Sequence, residues 1–363
     1  MSWAQRRAAL QKNAAGRFFL GICAFLYGAA VGARSLLYAS GLFKRRKLDA
    51  KVICIGNLAA GGTGKTPAVM LAAHTLRQRN HNVAIVSRGY GRVPKGEDVM
   101  VLLDDSAPAW SECGDEPWMM RNALQGQGIP ILVSPDKILA GLKAVTYYHA
   151  KVVVLDDGFQ HLRLQRDLDV LMVNAMEPFG GGKLLPLGDL REPLSAVRRA
   201  GMIVLTHVDL AAPEQIQEAK DRIRAINPGI SILESVHKAD FFLDIRKQKK
   251  YPLEHLQGRD LVALSGLADP APFEGQLALL GGKIVQRWRF PDHHPYTLAE
   301  LQSIENARRG LSTDAALVTT SKDFPRLPPG WQDILQSEVY VLSITLEIVK
   351  GKNIWIETLC QGL

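Results

Sequence analysis

Cysteine is scarce: Cys23, Cys54, Cys113 and Cys360 are the only four in 363 residues, far apart and without a C-x-x-C pair. That spacing excludes a disulfide framework and a thiolate metal cage, and reads as reduced thiols in a cytosolic compartment. Aromatics are few, 7% of the chain, with no recognition-helix motif or stacking pattern, so no nucleic acid is expected as a partner. Neither an internal repeat nor a low-complexity tract is present. With 47% hydrophobic and 22% charged residues, wholesale disorder is set aside. Acidic residues are outnumbered, 36 against 44 basic ones, and the net charge is +8. Such a balance favours an anionic partner: nucleic acid, a phosphorylated substrate or an acidic membrane surface. Nothing in the sequence points to an obligate protein partner.

A full-length spanning run is also missing. Residues 18–33, FFLGICAFLYGAAVGA, are almost wholly apolar but shorter than the ~20 residues that cross a bilayer. Arg6, Arg7, Lys12 and Arg17 flank them on one side, Arg34 and Lys44-Arg45-Arg46-Lys47 on the other. A signal peptide, a short anchor, a buried core helix and a helix lying in the membrane interface all share these features. The signal peptide is disfavoured because an ATP-type loop follows soon after, and the interfacial helix fits best.

That loop is KVICIGNLAAGGTGKT, residues 51–66. An apolar run (Val52, Ile53, Cys54, Ile55) leads into glycines that end in Gly64-Lys65-Thr66 before a helix-forming stretch. Backbone N–H groups can wrap a polyphosphate only where no Cβ intervenes, Lys65 can reach the β- and γ-phosphates, and the Thr66 hydroxyl suits Mg²⁺. ATP-binding candidates are therefore Ala59, Ala60, Gly61, Gly62, Thr63, Gly64, Lys65 and Thr66. The strict pattern asks for glycine where Ala59 stands.

Beyond it, β-rich runs at 52–55, 83–87, 99–103, 129–133, 152–155, 168–173 and 202–206 alternate with helical stretches at 67–79, 116–124, 137–149 and 213–225. The expected fold is α/β: a P-loop NTPase-like, mainly parallel sheet with helices on both faces. A smaller C-terminal α/β unit and an N-terminal membrane-associating helix complete it. The expected division is 1–46, 47–240, a charged aperiodic linker at 241–259, and 260–363. Ligands of such sheets bind at the carboxyl ends of the strands.

Several motifs fall at those ends. Asp156 and Asp157 close an apolar run as a Walker B element does, placing carboxylates for Mg²⁺. Gln160 and His161 follow in the same turn, where a plain β-turn is the alternative. Asp115 and Glu116 in Gly-Asp-Glu-Pro either cap a helix or supply a base. Arg191 can neutralise phosphate oxygens and Glu192 support the metal shell, or the two form a surface ion pair. Arg88 and Tyr90 in SRGYGR suit a phosphate or sugar. His293 and His294 lack zinc spacing and suit either a metal or a carboxylate-paired base.

Together these residues resemble the tetraacyldisaccharide 4′-kinase family, the lipid A kinases. The matching motifs are GNLAAGGTGKTP (56–67), SRGYGR (87–92), GDEP (114–117), DDGFQH (156–161), LREP (190–193), FPDHH (290–294) and TTSKD (319–323), in order over nearly the whole chain. The family's loop also departs from the strict pattern at the Ala59 position, and Leu162 stands where the family is expected to carry arginine. The resemblance implies transfer of the ATP γ-phosphate, with Mg²⁺, to the 4′-hydroxyl of a tetraacylated glucosamine disaccharide 1-phosphate at the cytoplasmic face of the inner membrane. It implies that Asp115 is the base and His293 its partner, and that Lys65 and Arg191 steady the phosphoryl group. Thr66, Asp156, Asp157 and Glu192 would then form the metal environment, and Arg88, Tyr90, Glu116, Gln160 and His161 would meet substrate. A membrane-recruited P-loop ATPase acting as an assembly or partitioning switch is the competing expectation.

Overall fold

β-branched runs too apolar to face water on either side must form the middle of a sheet covered on both faces. The structure, a computed structural model, shows this for residues 7, 10–90, 92, 99–105, 110–247, 249–267, 269–292, 294–311, 315–336 and 338–363, the residues it describes. In chain order the strands are β1 (Lys51–Gly56), β2 (Val83–Ser87), β3 (Met100–Leu102), β4 (Ile131–Val133), β5 (Val152–Asp156), β6 (Leu168–Asn174), β7 (Met202–Thr206), β8 (Ser231–Asp244), β9 (Lys249–Tyr251), β10 (Asp260–Ser265), β11 (Lys283–Arg289), β12 (Ala316–Thr320) and β13 (Val339–Lys350). The main helices are α1 (Ala14–Ala39), α2 (Lys65–Arg77), α3 (Asp115–Ala123), α4 (Lys137–Tyr148), α5 (Pro213–Ile226), α6 (Ala271–Leu279), α7 (Leu298–Leu311) and α8 (Lys352–Cys360).

All the strands belong to one sheet, ordered β11-β10-β12-β13-β8-β7-β6-β1-β5-β2-β4-β3, with β9 pairing to β8. β1 lies between β5 and β6, parallel to both. Its alternate residues feed opposite faces, as the pleat requires. Ile53 and Ile55 pack with Ala68, Val69, Ala72 and Leu76 of α2. Val52 and Cys54 pack with Ala140 and Ala144 of α4 and Ile223 of α5. α4 is started by Asp136, whose carboxylate accepts from the N–H groups of Ile138 and Leu139.

The ribbon of β8 and β13 sets how the two halves meet. β8 runs parallel to β7 as far as Glu234, then antiparallel to β13 up to Asp244. From Glu234 to Phe242, whose partner Leu342 pairs in turn with Thr320 of β12, the chain advances about 26 Å at the rise of a strand. β12 is parallel to β13 and so runs against β7. The carboxyl ends of the strands in the two halves therefore face each other across this ribbon.

One expectation is corrected here. Residues 241–259 are not an aperiodic linker, because they hold the last four residues of β8, all of β9 and a 3₁₀ turn at Leu253–Leu256. Their charges sit on a ribbon exposed in alternation, so the apolar signal of a buried strand is absent there. β13 runs the length of this ribbon to Lys350. The other expected elements have edges within about two residues, and α6 and α8 lie where no element was expected.

Candidate active site

The turn after β1 is shaped by its own side chains. Asn57 Nδ2 donates to the Ala59 carbonyl at 2.6 Å and to Thr63 Oγ1 at 2.9 Å. Ala59 forms an antiparallel bridge with Leu190, and the Ala60 N–H donates to the Asp189 carbonyl at 2.7 Å. Extended, paired backbone accepts alanine, which explains why glycine is dispensable at position 59. Gly61 and Gly64 take φ of +126° and +75°, where a side chain would be strained. At Gly61 and Gly62 an added Cβ would meet nothing within 4 Å, so the cradle opens to a ligand. Thr66 is buried at the first turn of α2. The N–H groups of that turn point at the cradle, the arrangement that binds phosphate.

At the end of β5 the two aspartates divide their tasks. Asp156 is buried; its Oδ2 accepts from Ser87 Oγ at 2.9 Å and its Oδ1 has no hydrogen-bond partner. Burial pushes its carboxyl upward, against the pull of Lys137 and Ser87. An orphaned carboxylate oxygen on a group that feels the charge of Lys65 suits a divalent cation. Among the described residues no three His, Cys, Asp or Glu side chains form a metal cage by themselves. Mg²⁺ needs none, since it takes one or two carboxylates and completes its shell with phosphate and water. Asp157 adopts a left-handed φ of +47°, which turns it toward the cradle. Its carboxylate lies 2.9 Å from Arg191 Nη1 and 3.9 Å from Lys65 Nζ. Burial pushes Asp157 up, but Lys65 and Arg191 outweigh it and hold the carboxyl below its ordinary value. The turn itself is fixed by the buried Lys137, whose Nζ donates to the carbonyls of Asp156 and Asp157.

Glu192 is placed otherwise than expected of a metal ligand. Arg199 takes both of its carboxylate oxygens, at 2.7 and 3.0 Å, and the side chain is buried. A fork-to-fork pair of this kind commits one lone pair of each Glu192 oxygen to Arg199.

Asp115 and Glu116 open α3. Asp115 Oδ1 accepts from the Glu116 N–H at 3.0 Å, and its Oδ2 lies 2.5 Å from Arg326 Nη2. Glu116 is pushed up to about 7, first by burial, then by Asp156 and Asp115, with Lys65 and Lys322 opposing. The Gly-Asp-Glu-Pro carboxylates and the phosphate cradle thus share one electrostatic site, and Lys322 of the TTSKD motif reaches it from the other half.

The remaining candidates differ in placement. Arg88 and Tyr90 are exposed at the end of β2. Gln160 is committed to the loop, its Nε2 donating to the Asn57 carbonyl at 3.0 Å. His161 is driven down to about 4 by burial and by Lys137 and Arg163, so it is neutral. Leu162 is buried, and Arg163 is exposed beside it. His293 lies outside the described residues. His294 binds Glu300 through Nε2 at 3.1 Å and stacks on Phe290 at 4.6 Å. A histidine pair went unread in the sequence: the tilted rings of His207 and His237 have centroids 4.4 Å apart, and the His237 ring would meet a Cβ on Gly64 at 2.8 Å. Arg326, Arg199 and Lys137 were missed as well. Only Arg326 carried a signal, three residues after TTSKD.

The family model described as tetraacyldisaccharide-1-P 4′-kinase matches residues 16–361. The tetraacyldisaccharide 4′-kinase of Elusimicrobium minutum is 43% identical over 354 residues, covering 97% of this chain and 93% of that protein. That of Anaeromyxobacter dehalogenans is 40% identical over 333 residues, covering 90% and 86%. Among solved structures, LpxK from Aquifex aeolicus in complex with ATP superposes with a TM-score of 0.73 at 29% identity, covering 94% of this chain and 99% of that one. A match of this length, with the cradle, the paired aspartates and the Asp115 carboxylate in one site, places the chain in the tetraacyldisaccharide-1-P 4′-kinase family.

Proposed function

We propose that the chain transfers the γ-phosphate of ATP to the 4′-hydroxyl of a tetraacylated glucosamine disaccharide 1-phosphate, a lipid A precursor, with the residues above in definite roles. The observation that carries this is the convergence of Lys65, Asp157 and Arg191 beside the phosphate cradle. Residues 59–66 wrap the triphosphate, and Lys65 and Arg191 meet the charge that spreads over the transferring phosphoryl oxygens. Thr66, Asp156 and Asp157 are the groups that would hold Mg²⁺, which when bound neutralises the phosphates. Asp115 accepts the 4′-hydroxyl proton, and Glu116 stands next to it. His293, from the other half, partners Asp115; His294 is already committed to Glu300, which favours its neighbour for the role. Closure of 260–363 onto 47–240 would assemble this base and exclude water. Arg88 and Tyr90, exposed at the end of β2 beside Gly114, meet the sugar or its phosphate.

The acceptor's four acyl chains hold it in the bilayer, at roughly 0.8 kcal/mol for each buried CH₂. The enzyme must go to it. On α1, Phe18, Phe19, Ile22, Phe25 and Leu26 are 46–75% exposed, and giving that surface to lipid is worth roughly 5–9 kcal/mol in all. Arg17 and residues 44–47 are exposed at the ends of this helix, where each cation adds about 1 kcal/mol near anionic headgroups. α1 is 26 residues long and apolar enough to cross a membrane. Its docked stripe favours a position in the interface, at the cytoplasmic face of the inner membrane where ATP is available.

Family membership over the whole chain disfavours the assembly-switch reading. The test is to supply ATP labelled at the γ-position, Mg²⁺ and the dispersed glycolipid. Label recovered in the extracted lipid is the expected result; label released only as free phosphate would return the switch to favour.

A further inference from the structure

α1 has a second face, and it is not turned to solvent. Leu20 and Ala24 are buried. One turn on, Tyr27 Oη donates to the carbonyl of Arg191 at 2.8 Å. Gly28 lies so close to the loop before Arg191 that an added Cβ would stand 2.7 Å from Leu184 Cδ1. Further along the stripe, Arg34 Nη2 donates to the carbonyl of Gln160 at 3.0 Å. The spacing 20, 24, 27, 28 follows a single helical face, and the large exposed apolar side chains occupy the other.

Both carbonyls belong to segments that shape the phosphate site. The Arg191 N–H donates to the Leu58 carbonyl at 2.7 Å, and its guanidinium holds Asp157. Gln160 holds the Asn57 carbonyl through its side chain. One helix thus fastens the two backbone segments that flank the cradle. When its free face enters lipid, the energy of five large apolar side chains decides where the helix sits, and two hydrogen bonds carry that position to the cradle.

We propose that Tyr27 is a positioning residue through which membrane seating of α1 sets the Arg191 segment for phosphoryl transfer. This rests on the kinase and membrane readings above. Its hydroxyl is committed to the Arg191 carbonyl and acts through that backbone, so its loss moves the rate of the chemical step and leaves binding alone.

The experiment compares the full-length wild-type chain with Tyr27→Phe, which removes only the hydroxyl. Four quantities are measured: kcat and KM for transfer to the glycolipid in anionic phosphatidylglycerol vesicles, Kd for ATP, co-sedimentation with empty vesicles, and Tm. The expected result is a fall in kcat of about fivefold, the effect of one neutral hydrogen bond. KM, ATP affinity, vesicle binding and Tm should stay within a factor of two or a degree of wild type. An unchanged kcat overturns the proposal, and so does a fall that comes with equal losses of ATP affinity and Tm, which marks a merely structural hydroxyl. Wild-type protein that fails to phosphorylate the lipid refutes the kinase reading instead, and wild-type protein that stays off the vesicles refutes the membrane reading.

Discussion

Arg326 and Asp115, one from each half of the sheet, meet at 2.5 Å with both side chains largely buried. The contact continues backwards into TTSKD. Arg326 Nη1 lies 3.7 Å from Asp323 Oδ1, and Asp323 is itself fixed by Thr320 Oγ1 at 2.6 Å and the Gly266 N–H at 3.0 Å. A chain of charge-assisted contacts therefore runs from the end of β12 to the first residue of α3. It fixes the direction of the Asp115 carboxylate and ties the halves together at the place where transfer is proposed.

Removing one partner of such a pair leaves the other charge buried and misdirected. Arg326→Ala should lower kcat for lipid phosphorylation by roughly 10- to 100-fold, in line with displacement of a group that must be aimed. ATP affinity should change less than threefold, because the phosphate cradle lies outside the pair. Arg326→Lys keeps the charge without the planar fork and should fall between. A rate within twofold of wild type for the alanine variant would remove Arg326 from the reaction.

Base and phosphate clamp separate in a second comparison. Asp115→Ala should abolish transfer and leave ATP binding largely intact, since Asp115 opens α3, outside the 59–66 loop, and is held by Arg326. Lys65→Ala should weaken both, because Lys65 stands at the cradle beside Asp157. Isothermal titration with a non-hydrolysable ATP analogue decides the matter. Equal losses of nucleotide affinity in the two variants contradict the base assignment.

What could be read from the sequence was what lies close together in it. The cradle, the Asp156-Asp157 turn and Gly-Asp-Glu-Pro each carry their geometry within a few residues: a buried strand, a turn and a helix start. Contacts made at long range left no such trace. Arg326 is 211 positions from Asp115 and Tyr27 is 164 from Arg191, and nothing local announces either. The partner of Glu192 was hidden for a different reason. The Leu-Arg-Glu-Pro motif lies in the site, but the 3₁₀ helix Leu194–Arg199 brings Arg199 back onto Glu192, a closure that residue spacing does not reveal. The end of β8 and all of β9 read as a connection because Asp240, Lys247, Lys249 and Lys250 there are exposed charges.

Glu192 and Asp156 can be told apart by magnesium. Asp156→Asn should raise the Mg²⁺ concentration for half-maximal activity by tenfold or more, because the oxygen without a hydrogen-bond partner loses its charge. Glu192→Ala should leave the Mg²⁺ requirement unchanged and destabilise the fold by about 1.5–3 kcal/mol, the usual worth of a charge-assisted pair whose arginine keeps some contact with water. Magnesium titration of activity and urea unfolding give the two readouts. A shifted magnesium requirement with unchanged stability in Glu192→Ala would restore that residue to the metal shell.

The His207–His237 pair makes a prediction about acid. His237 is driven from 6.5 down to about 3, first by burial, then by the neighbouring His207 and by Lys322. Between those limits the unfolded chain binds a proton at this position that the folded chain refuses. Stability should therefore be full above about pH 6.5 and fall as the pH drops toward 3, with this one site contributing up to about 1.4 kcal/mol per pH unit. His207 and His161 are also lowered, so they add to the slope with the same sign. Replacing His237 by Gln removes one titrating group and leaves the others. Unfolding free energies measured in urea at pH 7, 6 and 5 should fall less steeply for the variant, by about one proton's worth. Parallel slopes for variant and wild type would mean that His237 binds its proton equally well in both states, and that burial against the Gly64 turn does not keep it neutral.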